Sequence, residues 1–93
     1  MLKRPHFRPN PDVIAQRMGA EIVLIHLRTD RIYELNRTAA RVWGLLGAGH
    51  DQAQIQQQLL DEFNIGETQL AGEIVALLDL MQAEGLLVTR EHG

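Results

Sequence analysis

Ile32-Tyr33-Glu34-Leu35-Asn36-Arg37-Thr38-Ala39-Ala40-Arg41-Val42-Trp43-Gly44-Leu45-Leu46 decides the fold, because the hydrophobic period changes inside it. Over 32–35 the side chains alternate, with Ile32 and Glu34 on one face and Tyr33 and Leu35 on the other, as in a strand. Beyond Asn36 the apolar residues Ala39, Ala40, Val42, Trp43, Leu45 and Leu46 recur at helical spacing. Asn36 is a strong N-cap. Its side chain can accept from the backbone N–H of Thr38 or Ala39 and fix the point where strand becomes helix.

Working outward, Glu21 to Leu27 is β-branched and apolar on both faces at Ile22, Val23, Leu24 and Ile25, which reads as a central strand. The polar connector Arg28-Thr29-Asp30-Arg31 joins it to 32–35 as a hairpin. Upstream, Asp12 to Met18 is a further strand and Gly19-Ala20 a tight turn, so the three strands form a meander ending in an edge. Downstream, Gly47 and Gly49 end the first helix. Asp51 caps the second, Gln52 to Phe63, which sets Ile55, Leu59 and Phe63 on one side and five glutamines elsewhere. The third helix opens at Glu67 or Thr68 and runs to about Ala83, with Gly85 as its C-terminal cap. Leu86-Leu87-Val88 returns to the sheet or core.

All three prolines lie in residues 1–11, an extended lead-in. Residues 12–88 make a single domain and 89–93 fray. Strands segregated from helices predict an α+β fold: a three-stranded antiparallel sheet followed by three helices, winged helix-turn-helix-like.

Chemistry is excluded more easily than assigned. The 93 residues include no Cys and no Ser, and Lys3 is the only Lys, so no nucleophile stands beside a tuned base. Of the histidines, His6 and His92 lie in the terminal segments, His50 in a loop, and His26 on a strand, where a partly exposed position is expected. Histidine and carboxylate spacings fit no metal motif, and no glycine-rich phosphate cradle follows a strand. The sequence therefore predicts no catalysis, no metal and no cofactor. The basic N-terminus has no apolar run behind it and no stretch reaches membrane length, so a cytoplasmic protein without membrane contact is expected.

A winged-helix DNA-binding regulator is the first alternative to consider, because three helices beside a short sheet would suit it. The charge opposes it. The net charge is −3, and the third helix carries Glu67, Glu73 and Asp79 but no Lys or Arg. No nucleic-acid partner is predicted.

The third helix is unusually apolar. Stepping about 100° per residue from Leu77 at zero, its apolar residues span an arc of about 220°, where a surface helix needs about 100°. One use for the surplus is as the wall of a groove beside the edge strand 32–35. A free strand edge can accept a peptide as an added strand, with backbone bonds giving affinity and side-chain pockets selectivity. Tyr33 suits the rim of such a groove.

These residues resemble a known family. Tyr33-x-Leu35-Asn36-x-x-Ala39-x-x-Val42-Trp43-x-Leu45-Leu46-x-x-Gly49 is similar to the signature of the PqqD family, the leader-peptide recognition elements of ribosomal peptide biosynthesis. Ile55, Leu59, Phe63, Ile74, Leu77, Leu78, Met81, Gly85, Leu86 and Leu87 continue the pattern, so the resemblance spans about residues 12–88. Tyr33 and Trp43 look more like the free-standing proteins of lasso-peptide clusters than the pyrroloquinoline quinone biosynthesis chaperone, which stands as the second alternative.

The resemblance implies a non-catalytic domain that binds the leader of a precursor peptide and presents it to a leader-dependent modifying enzyme or protease. It implies a groove on Arg31, Ile32, Tyr33, Glu34 and Leu35 and on Leu70, Ile74, Leu77, Leu78 and Met81. Asn36 is expected to orient the groove without touching the ligand, and Trp43 to pack in the core. Within the helical arc, Leu78 is expected to face the groove and Leu77 the core.

Overall fold

The computed structural model describes residues 6–90. In chain order the elements are β1 (His6–Pro9), β2 (Val13–Met18), β3 (Glu21–His26), β4 (Ile32–Leu35), α1 (Arg37–Gly47), α2 (Gln52–Glu62), α3 (Glu67–Ala83) and β5 (Leu87–Arg90). The fold is α+β, with β2-β3-β4 as an antiparallel meander that precedes the helices.

Local chemistry places each boundary. Met18 pairs with Glu21 across Gly19-Ala20, and Gly19 takes φ 67°, a conformation open to glycine at little cost. Ala39 N–H donates to Asn36 Oδ1 at 2.9 Å, the cap that turns the end of β4 into α1. At α2, Asp51 and Gln54 cap one another reciprocally. α3 ends in a Schellman motif: Leu86 N–H donates to Met81 O at 2.8 Å and Gly85 N–H to Gln82 O at 3.1 Å, with Gly85 at φ 72°.

Two features depart from the sequence reading. Part of the proline-rich lead-in is a strand: β1 pairs antiparallel with β5, matching His6 with Arg90 and Pro9 with Leu87. Thr89 and Arg90, expected to fray, belong to that ladder. Pro9 is tolerated because a two-stranded sheet consists only of edges. Asn10 fastens the junction, its side-chain amide donating to Gly85 O and its backbone N–H to Leu86 O, both at 2.9 Å. The apolar tail thus buries Leu86 and Leu87 in the core and joins a separate sheet.

His26, expected to be partly exposed, is the second departure, because it is buried. Its Nδ1 accepts from the Arg28 backbone N–H at 3.2 Å, so the ring organises the β3–β4 connector. A Cβ added to Gly85 would lie 3.3 Å from His26 Nε2, so the glycine also makes room for the ring.

One core joins the layers. Ile22, Leu24 and Leu35 of the sheet meet Val42, Trp43 and Leu46 of α1, Ile55 and Leu59 of α2, and Leu70, Ile74, Leu78 and Met81 of α3. Trp43 is core, as expected. α3 packs chiefly on α2 and β5, while β4 packs on β3 and α1, so β4 and α3 stand apart as the two sides of a cleft.

Candidate functional site

The cleft is open along its strand side because β4 has β3 as its only strand neighbour among the described residues. Hydrogen-bond alternation identifies the groups left over. His26 N–H donates to Arg31 O at 2.9 Å, which makes 26/31 a bonded pair. In the observed register Leu24/Tyr33 and Ile22/Leu35 are then bonded as well. The backbone groups of Ile32 and Glu34 therefore point away from β3, to the free edge.

Side chains alternate the other way. Tyr33 and Leu35 face the core side, Tyr33 half-buried and Leu35 buried. Ile32 and Glu34 stand on the outer face, exposed. Of the predicted strand residues, Ile32 and Glu34 thus contribute backbone to the cleft, and Tyr33 contributes its ring.

Two adjoining hollows lie against α3, one beside this edge and one beside the start of α1. One of about 380 Å³ is lined by β4 together with Asn36, Leu77, Leu80, Met81 and Leu86. The other, about 370 Å³, lies toward the start of α1 and is lined by Asn36, Thr38, Ala39, Glu73, Ile74, Ala76, Leu77 and Leu80. Both fall within the size range of ligand pockets, and both are walled largely by apolar side chains.

A polar bridge closes the far end. Tyr33 Oη donates to Glu84 Oε1 at 2.7 Å, and Arg31 Nη1 donates to the same oxygen at 3.0 Å. The bond to Glu84 and partial burial push the Tyr33 hydroxyl pKa up. The Tyr33 hydroxyl and then Arg31 hold the Glu84 carboxyl below the ordinary range. Because Glu84 is the C-cap of α3, this bridge ties the strand to the helix end and fixes the width of the cleft there.

The predicted helix residues divide. Leu77 is half-buried and lines both hollows, while Ile74 and Met81 are core residues that form part of the floors. Leu70 and Leu78 are buried in the core and line neither hollow. The expected assignment of Leu77 and Leu78 is therefore reversed. In the angular frame used above, the buried stripe of α3 runs from about 20° to 100°, and the cleft takes the flank from about −100° to 0°. That flank carries Ala76, Leu80, Glu73 and Leu77, of which Leu77 alone was anticipated. Leu80 is 59% exposed beside the hollows, and its place at the edge of the arc was the available signal. Asn36, expected only to orient the cleft, also lines both hollows.

Among the described residues no group of three or more His, Asp or Glu could hold a metal, and no helix is long and apolar enough to cross a membrane.

The described residues thus form an α+β domain with an open strand edge beside an apolar helix flank. Residues 21–87 match the family described as coenzyme PQQ synthesis protein D (PqqD), and the chain belongs to that family. Among solved structures it is similar to TbiB1 in complex with the TbiA(β) leader peptide, at 21% identity and TM-score 0.84 over 91% of this chain and 99% of that one. It is also similar to a lasso peptide synthetase B1 complexed with the leader peptide, at 28% identity and TM-score 0.81 over 89% of this chain and 98% of that one. No curated protein matches the sequence.

Proposed function

We propose that the chain binds the leader region of a ribosomally made precursor peptide as a strand added to β4, and presents it to a leader-dependent modifying enzyme or protease without catalysis of its own. The observation that carries this reading is the free edge at Ile32 and Glu34 beside an apolar hollow against α3 that continues into a second hollow at the start of α1. Backbone bonds to the edge supply sequence-independent affinity, and alternate peptide side chains enter the hollows. Both solved neighbours hold leader peptides, and the one at 28% identity is a lasso peptide synthetase component, which favours a lasso-type precursor.

The test is fluorescence anisotropy with labelled leader peptides of candidate lasso-type precursors, run beside a labelled DNA duplex at low salt. Saturable leader binding is expected, with no salt-sensitive duplex binding, because α3 presents acids and no cation. Tight duplex binding that weakens steeply with salt, with no leader binding, would overturn the proposal in favour of a winged-helix regulator.

A further inference from the structure

The charges around the cleft are uneven. Four charged residues line the cleft hollows or the polar hollow at its far end: Arg31, Glu34, Glu73 and Glu84. Arg31 and Glu84 neutralise one another at 3.0 Å. Among the described residues Glu34 and Glu73 have neither a side-chain hydrogen bond nor an ion pair. Three other arginines have partners away from the hollows: Arg28 with Asp12, Arg41 with Glu62, and Arg37 over the Phe63 ring at 5.3 Å. Among the described residues that line these hollows, the unpartnered charges are thus both negative.

The two carboxylates meet different parts of an added strand. Glu34 lies on the outer face of the sheet, where the peptide residue paired across from it would stand beside it, and opposite charges in such a cross-strand position attract. Glu73 stands among Ile74, Ala76, Leu77 and Leu80 at the hollow near the start of α1. A side chain with an aliphatic stem and a cationic head suits that place, since the stem covers leucine while the head reaches the carboxylate in water. Arg31 does not cancel this field. It sits with Glu84 at the other end of α3, eleven residues from Glu73 or about 16 Å along the helix, beyond the screening length at physiological salt.

Resting on the strand-addition reading, we infer that the cleft selects basic leader segments, with Lys or Arg at the position that reaches Glu73 and a second basic preference opposite Glu34. Glu73 is the specificity residue of the pair, because it lines a hollow that a peptide side chain would enter, whereas the Glu34 side chain stands on the outer face of the sheet.

Selection from a phage-displayed library of random decapeptides tests this without knowledge of the natural leader. The wild-type chain should enrich apolar peptides carrying Lys or Arg at a fixed spacing from the apolar positions. Glu73→Lys should switch that one position to Asp or Glu. A synthetic peptide of the wild-type consensus should bind Glu73→Gln about 1.5- to 5-fold more weakly, as for an exposed ion pair, and the difference should shrink as salt is raised. Glu73 is exposed, so thermal melts of both variants should match wild type. Enriched peptides with no basic preference, or a preference unchanged by Glu73→Lys, would overturn the charge inference and leave strand addition standing. A library from which nothing is enriched would overturn both.

Discussion

Leu80 and Leu78 lie two residues apart on α3 and make opposite predictions. Leu78 is 4% exposed in the core, so Leu78→Ala should cost about 2–5 kcal/mol of stability through lost burial and the cavity left behind. Leu80 is 59% exposed at the cleft and has little to lose in the free protein. Fully burying a leucine side chain is worth about 1.5–3 kcal/mol, so covering the exposed part of Leu80 with peptide should contribute about 1–2 kcal/mol. Leu80→Ala should therefore weaken leader binding by about 5- to 30-fold while the melting temperature stays near wild type. Val75, 44% exposed on the opposite side of the helix, is the control: Val75→Ala should change neither quantity much. Calorimetric leader titrations paired with thermal melts measure both. A folded Leu80→Ala that binds leader as well as wild type would refute the assignment of the cleft to this flank.

Two further outcomes follow from the packing. Glu62 is held down to about 2, by hydrogen bonds first from Arg41 and then from Gln58. Its folded-state pKa lies below its unfolded value, so its contribution is full above about pH 4.5 and is lost as the pH falls toward 2. Because both partners are partly exposed, Glu62→Gln should cost at most about 1 kcal/mol at pH 7, and urea melts should show that difference vanish near pH 2. Gly85→Ala forces a side chain into a positive-φ site 3.3 Å from His26 Nε2, and should lower stability by about 1–3 kcal/mol, read from the same melts.

The elements legible in the sequence are those set by local rules. The change of period at Asn36, the glycine turn at 19 and the caps at Asn36, Asp51 and Gly85 act within a few residues, and each appears in the structure where the sequence places it. The β1–β5 pairing joins residues about eighty positions apart, and its N-terminal strand is masked by proline, so no periodicity announces it. His26 looks like an ordinary strand histidine because its burial depends on Gly85, which is distant in sequence. The rotation of α3 escaped for a related reason. An apolar arc of about 220° has no unique centre, and the contacts with α2 and β5 choose which part of it is core. Once they take Leu70, Ile74, Leu78 and Met81, the cleft inherits Leu77, Leu80 and Glu73.

The claim that a leader joins β4 as a strand is tested most directly by residue-resolved amide hydrogen exchange, with and without leader peptide. In the free protein Tyr33 and Leu35 should be protected by β3, while Ile32 and Glu34 exchange freely from the open edge. Saturating leader should protect Ile32 and Glu34 strongly and leave α2 unchanged. Ile32 and Glu34 amides that still exchange freely in the saturated complex would contradict strand addition.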